Sequence, residues 1–249
     1  MEVGEHIAAL DREGRQLADA ASASSWDASV PTCPGWTLRD LVTHVGGVHR
    51  WAAAIVGGAL SRSDPKTHAA VGSGPPDAEL LDWFRSGHAD LVRTLQTADP
   101  NVTFWAFLPA PTPLASWARR QAHETAIHRV DAELAAEGDV SRCDDVFALD
   151  GLDELLYSFA ARRRGLTAEA PKVIEIRPAG APARRICIGP SGIATTESES
   201  AEVDGAARCT VSGSAHDLYL WSWHRPSAFT VDGDRAVLDD WARMSVTWI

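Results

Sequence analysis

Four stretches of this chain repeat their apolar residues every three to four positions, and after about residue 168 that texture gives way to alternation. The first pattern, over residues 5–21, carries Ile7, Leu10, Gly14 and Leu17 with charges between them. A proline-bracketed segment, Pro31-Thr32-Cys33-Pro34-Gly35-Trp36, then imposes a rigid, non-helical connection. Thr37 with Asp40 forms a capping box that opens a second helix, running through Leu38, Leu41, Val42, Val45, Val48, Ala52 and Ile55 to about Val56. Residues 61–76, rich in Ser, Pro and Gly, read as an exposed loop, and Asp77 can cap a third helix containing Leu80, Leu81, Phe84, His88, Leu91, Val92 and Leu95. Thr112-Pro113 supplies N-cap and N1 for a fourth helix that stops near Gly138. Four such helices joined by loops predict a helical bundle. A fifth helix is expected at about Asp144–Arg163, ending in Arg162-Arg163-Arg164-Gly165.

Beyond Pro171, Lys172 to Arg177 and Arg185 to Ile188 alternate as strands do, and Ala207 to Ser212 looks like another. A helix over Ser214–Trp223, a strand at Phe229-Thr230-Val231 and a last helix over Gly233–Arg243 complete the expectation. Domains are therefore placed at 1–167 and 168–249, a helical bundle followed by a small α+β domain. The net charge of −11 carries no basic block, which argues against nucleic acid or an anionic membrane as partner. The acidic start, Met1-Glu2-Val3-Gly4-Glu5-His6, lacks the apolar core of a signal peptide, and no apolar run approaches a membrane span. Cys33, Cys143, Cys187 and Cys209 contain no C-x-x-C pair and read as reduced thiols of a cytoplasmic protein. A monomer or homodimer is expected.

The densest polar chemistry lies in the fourth helix, between Arg119 and Asp131. Glu124 and His128 are four apart and share a helix face, whereas His123 and His128 are about 140° apart around the axis. This differs from H-E-x-x-H, whose histidines share a face. A carboxylate–imidazole pair is half a metal site, and a third ligand must come from elsewhere. By spacing alone the bland reading comes first, a solvated face shared with Gln121 and Asp131, roughly 80–120° from the Ile127, Val130 and Leu134 stripe. On the second helix His44 and His49 sit at opposite edges of the apolar stripe, and the helical wheel does not choose between them. His88 reads as a core histidine, Cys33 as a structural residue or a nucleophile, and His216 and His224 carry no ligand spacing.

Three segments resemble the mycothiol-dependent maleylpyruvate isomerase family. They are Cys33-Pro34-Gly35-Trp36-Thr37-Leu38-Arg39-Asp40-Leu41-Val42-Thr43-His44-Val45-Gly46-Gly47, then His123 to Asp131, then Asp217 to Arg225 with Gly233-Asp234. The resemblance implies the fold class α + α/β in two domains, with a DinB-like four-helix bundle followed by an α+β domain similar to sterol carrier proteins. It implies a divalent metal, usually zinc, on His44, Glu124 and His128, and so favours His44 over His49. Two histidines and one glutamate leave a tetrahedral position open, the pattern of catalytic zinc.

The same resemblance implies mycothiol as thiol cosubstrate, together with a small electrophilic substrate. A zinc-activated thiolate would add to a cis double bond, allow rotation about the resulting single bond, and leave to give the trans isomer. In a thiol S-transferase it would stay attached. Arg225 is the expected cation for substrate carboxylates or a developing enolate, and Arg129 and Asp131 are expected to support the ligands or pair helices. The competing reading is a non-catalytic metal- or ligand-binding module whose C-terminal domain holds an apolar ligand.

Overall fold

The structure is a computed structural model and describes residues 1–62, 74–160, 167–196 and 205–244. Most of the expected 61–76 loop, and the expected arginine-rich end of the fifth helix, lie outside the described residues. The chain forms two compact units, Met1–Ser141 and Arg142–Ile249.

The first unit holds four long helices, α1 (Val3–Ser22), α2 (Leu38–Gly57), α3 (Asp77–Thr97) and α4 (Pro113–Ala135). Their starts follow local chemistry. Thr37 Oγ1 accepts from the Asp40 amide at 3.3 Å while Asp40 Oδ2 accepts from the Thr37 amide at 2.9 Å. Thr112 Oγ1 accepts from the Ala115 amide at 3.1 Å, with Pro113 as the first helical residue. Asp77 does not cap α3: Pro76 is the N-cap, and Asp77 and Glu79 lie in the first turn, where acidic charge suits the helix dipole. At the end of α4, Gly138 N–H reaches Glu133 C=O and Glu137 N–H reaches Leu134 C=O, with Glu137 itself left-handed at φ 55°. The helix thus closes in a Schellman motif two residues before the glycine that the sequence suggested as its stop.

α1 packs on α4 and α3, and α2 packs on α3 and α4. One core cluster draws Leu17 and Ala21 from α1, Leu38, Leu41, Val42 and Val45 from α2, Leu80 and Phe84 from α3, and Ala132 and Ala135 from α4. Two devices bring the backbones close. A Cβ on Gly14 would lie 2.3 Å from the His88 ring, so the glycine is what lets α1 and α3 meet there. Arg129, fully buried on α4, binds Glu13 of α1 at 2.9 Å, Glu133 at 2.6 Å and the Ser141 carbonyl at 2.7 Å. Of the roles expected for Arg129, it fills helix pairing.

The second unit begins with α5 (Asp145–Asp153), capped by Asp144, and continues into a π-helical turn at Glu154–Phe159. Its strands are β1 (Lys172–Pro178), β2 (Arg184–Gly189), β3 (Gly192–Thr196), β4 (Ala207–Gly213) and β5 (Thr230–Gly233). They form one mixed sheet in the order β3-β2-β1-β4-β5, parallel between β1 and β4 and antiparallel elsewhere. Helices α6 (Ala215–Ser222) and α7 (Ala236–Arg243) pack on β1 and β4, and α5 packs on α6. That packing explains why the division falls after Ser141 rather than at 167/168: the fifth helix buries its apolar side against the second unit. Strand β3, absent from the sequence expectation, pairs with β2 from Arg185 opposite Thr196 to Gly189 opposite Gly192. Among the described residues no helix is long and apolar enough to cross a membrane.

The close approach at Gly14 gives a direct expectation. Gly14→Ala raises helix propensity by up to about 1 kcal/mol, yet overpacking against an imidazole costs about 1–3 kcal/mol. Urea denaturation should show a net loss of stability, and the same substitution on a His88→Ala background should be neutral or stabilising.

Candidate metal centre

His44 lies on α2 and Glu124 and His128 lie one turn apart on α4. The packing of these helices brings the three together, with one ligating atom of each within 4.8 Å of the others. Glu124 Oε1 stands 3.4 Å from His44 Nε2 and 3.3 Å from His128 Nε2. Metal–ligand bonds of 2.0–2.1 Å in a tetrahedron put neighbouring ligand atoms about 3.3 Å apart. The donor set and both distances therefore suit a zinc-sized divalent ion. The other glutamate oxygen, Oε2, accepts from Arg120 Nη2 at 2.8 Å, which turns Oε1 toward the histidines.

His128 is held from behind. Its Nδ1 lies 2.8 Å from Oδ2 of Asp131, a fully buried carboxylate, so Nε2 is the nitrogen turned toward Glu124. A histidine that donates its second nitrogen to a carboxylate is the usual support of a metal ligand. Trp36 stacks on the His128 ring at 6.3 Å with 19° between the planes, and its ring lies 5.0 Å from that of His44.

Charge follows from these contacts. Burial opposes ionisation of Glu124, but hydrogen bonds from His128 and His44 and the nearby Arg120 hold its carboxyl well below the usual range. Burial likewise opposes a charged His128, but Asp131, Cys33 and Glu124 outweigh it and raise the imidazole well above its ordinary value. The cluster thus sets an ionised Glu124 beside a His128 that holds its proton more tightly than a free imidazole does.

The structure separates the residues that the helical wheel left together. His49 is fully buried, and its Nε2 lies 2.8 Å from Thr125 Oγ1. The Thr125 hydroxyl donates to the Gln121 carbonyl at 2.7 Å, so His49 must be the donor in that pair and has no lone pair there to offer. Burial, then the neighbouring His88, hold His49 well below its ordinary value. His123 is fully buried, its ring 6.0 Å from that of His6. His88 is buried against Asp11 O at 3.3 Å, a core histidine as expected. The face carrying Glu124 and His128 is not solvated: Gln121 and Asp131 beside them are 1% and 0% exposed.

Arg225 belongs to the second unit. It follows α6 and His224, whose φ is +59°, and its guanidinium donates to the Trp223 carbonyl at 2.7 Å. His216 Nδ1 accepts from the Cys143 amide at 3.1 Å, a structural role. Sequence reasoning missed the parts played by Arg120, Thr32 and Trp36. Arg120 had a signal, its i, i+4 spacing to Glu124, whereas the other two act across the fold.

Residues 7–133 match the sequence model of the mycothiol maleylpyruvate isomerase N-terminal domain, and residues 146–240 match that of the C-terminal domain of the same enzymes. Two solved structures are similar across 94% of this chain and 95% of theirs. One is a mycothiol-dependent maleylpyruvate isomerase, with a TM-score of 0.63 at 15% identity. The other is a histidine-to-alanine mutant of a mycothiol-dependent maleylpyruvate isomerase, with a TM-score of 0.66 at 14% identity. At such identities the likeness is one of fold. No curated protein sequence matches this chain. With one family domain over half its length and the companion domain following in order, the chain belongs to the mycothiol-dependent maleylpyruvate isomerase family of enzymes.

Proposed function

We propose that this protein is a metal-dependent enzyme that activates a low-molecular-weight thiol, mycothiol by family, for addition to a small electrophile. Isomerisation of a maleylpyruvate-like cis-enoic acid is the reaction the family name indicates, and thiol S-transfer is its nearest variant. The observation that carries the reading is the convergence of His44, Glu124 and His128, with Glu124 Oε1 at tetrahedral-edge distance from Nε2 of each histidine. A divalent ion, zinc by its donor set, supplies Lewis acidity that brings a thiol to its thiolate near neutral pH.

The remaining work falls to side chains. Arg120 orients Glu124, and Asp131 keeps the Nδ1 proton of His128 so that Nε2 faces the site. Arg225, from the third family motif, is assigned the cation that balances substrate carboxylates or enolate charge. None of Cys33, Cys143, Cys187 and Cys209 is in a disulfide, and a reducing, cytoplasmic setting is proposed along with the rest of this reading.

Elemental analysis of purified variants tests the ligand set. His44→Ala, Glu124→Ala and His128→Ala should each abolish metal retention, whereas His49→Ala and His123→Ala should keep it. Equal loss in all five variants would sink the assignment.

Turnover tests the enzyme reading. Zinc-loaded protein should convert a cis-enoic acid or capture an electrophile only with thiol present, and Arg225→Ala should lower kcat about 10²-fold or more with metal content unchanged. No thiol-dependent turnover across a panel of such substrates would favour a binding module instead.

Proton linkage gives a third check. The His128 value is raised above 6.5, so its protonated form stabilises the metal-free fold below pH 6.5, and that contribution fades as pH rises through the raised value. Metal uptake must expel this proton. Affinity should therefore climb with pH through neutrality, and calorimetry in buffers of different ionisation enthalpy should count close to one proton released.

A further inference from the structure

The segment Pro31–Trp36 stands out in the sequence, yet the proposed chemistry gives it no task. In the fold it is a tight turn. Cys33 N–H donates to the Val30 carbonyl at 3.1 Å, Trp36 N–H to the Cys33 carbonyl at 3.0 Å, and Val30 N–H to the Trp36 carbonyl at 2.9 Å. Gly35 takes φ +85°, which admits glycine readily, and Ser29 pairs with Thr37 as an antiparallel bridge behind the turn. The turn therefore has little freedom of its own.

What it holds is Asp131. Thr32 Oγ1 donates to Asp131 Oδ1 at 2.5 Å, and Cys33 Sγ lies 3.6 Å from Oδ2. A fully buried carboxylate has no solvent to satisfy it, so its orientation is set by its protein donors. With Oδ1 pinned by Thr32, Oδ2 is the oxygen that faces His128 Nδ1 at 2.8 Å. From the same turn, the Trp36 ring lies within 19° of parallel to the imidazole, its centroid 6.3 Å away. The hydrogen-bonded edge of His128 is thus held through Asp131 by this turn.

We propose that the Pro31–Trp36 turn is the positioning element for His128, and that Thr32 is its principal positioning residue, acting through Asp131. The inference rests on the reading of His44, Glu124 and His128 as metal ligands. Thr32 outranks Cys33 because a hydroxyl is the stronger donor and a thiol a weak one.

The test uses the full chain loaded with Co²⁺, whose visible spectrum reports the site and whose paramagnetism shifts the ligand imidazole N–H resonances. Affinity is measured by competition with a chelator for the unmodified chain and for Thr32→Val, Thr32→Ser, Cys33→Ala and His44→Ala. Thr32→Val, which replaces the hydroxyl with a methyl of similar size, should weaken Co²⁺ binding about 10–100-fold. Thr32→Ser should restore it to within about threefold, and Cys33→Ala should cost less than Thr32→Val. The shifted Nδ1–H resonance of His128 should exchange slowly with solvent in the unmodified chain, a measurement that needs no variant. Co²⁺ held by Thr32→Val as tightly as by the unmodified chain would overturn the proposal, as would equal loss in Thr32→Ser or a fast-exchanging Nδ1–H. Co²⁺ binding that survives His44→Ala unchanged would instead overturn the ligand assignment beneath it.

Discussion

The first unit is arranged around one requirement, the pairing of most of the polar groups that α4 carries into the interior. Arg120, Gln121, His123, Thr125, Arg129, Asp131 and Glu133 are each exposed by 8% or less. A buried polar group without a partner costs roughly 1–3 kcal/mol, and a buried charge far more. The partners come from the surrounding elements. Glu13 of α1 meets Arg129, His49 of α2 meets Thr125, and Thr32 of the connecting turn meets Asp131. Apolar packing makes the bundle compact, but these pairings select which helix lies where along α4.

The candidate centre belongs to the same polar interior. Glu124 and His128 lie on the same helix as Arg129, and are 14% and 12% exposed rather than sealed. Arg129 has carboxylates on two sides, whereas Glu124 shares one oxygen between two imidazoles. Two imidazoles and a carboxylate oxygen gathered at one point are a natural set of ligands for a cation.

Much of this was legible in the sequence, and the failures are instructive. The capping pairs Thr37/Asp40 and Thr112/Pro113 are local, so their reading transferred directly to the structure. The polar face of α4 did not, because a helical wheel shows which residues lie together but not whether another element covers them. Choosing between His44 and His49 failed on spacing for a related reason. Both face α4, and the residues they meet, Glu124 and Thr125, are neighbours whose chemistry separates a possible ligand from a hydrogen-bond donor. The 167/168 boundary followed the change from helix to strand, whereas the actual division follows packing, and α5 lies with α6. Strand β3, with Gly192, Ala194 and two threonines, is too weakly apolar to announce itself and exists because β2 gives it an edge to pair with.

The turn at residues 31–36 has a consequence for how this chain can change. It immediately precedes the helix that carries His44, and it grips the aspartate behind His128. Two pieces of the chain 99 residues apart are thereby joined into one inherited unit. A change at Thr32 that removes its hydroxyl takes one donor from the buried Asp131, and a change at Asp131 takes the acceptor from the half-buried Thr32 hydroxyl. A substitution at Thr32 that removes the hydroxyl should be tolerated only when Asp131 changes with it, whereas serine, which keeps the donor, should stand alone.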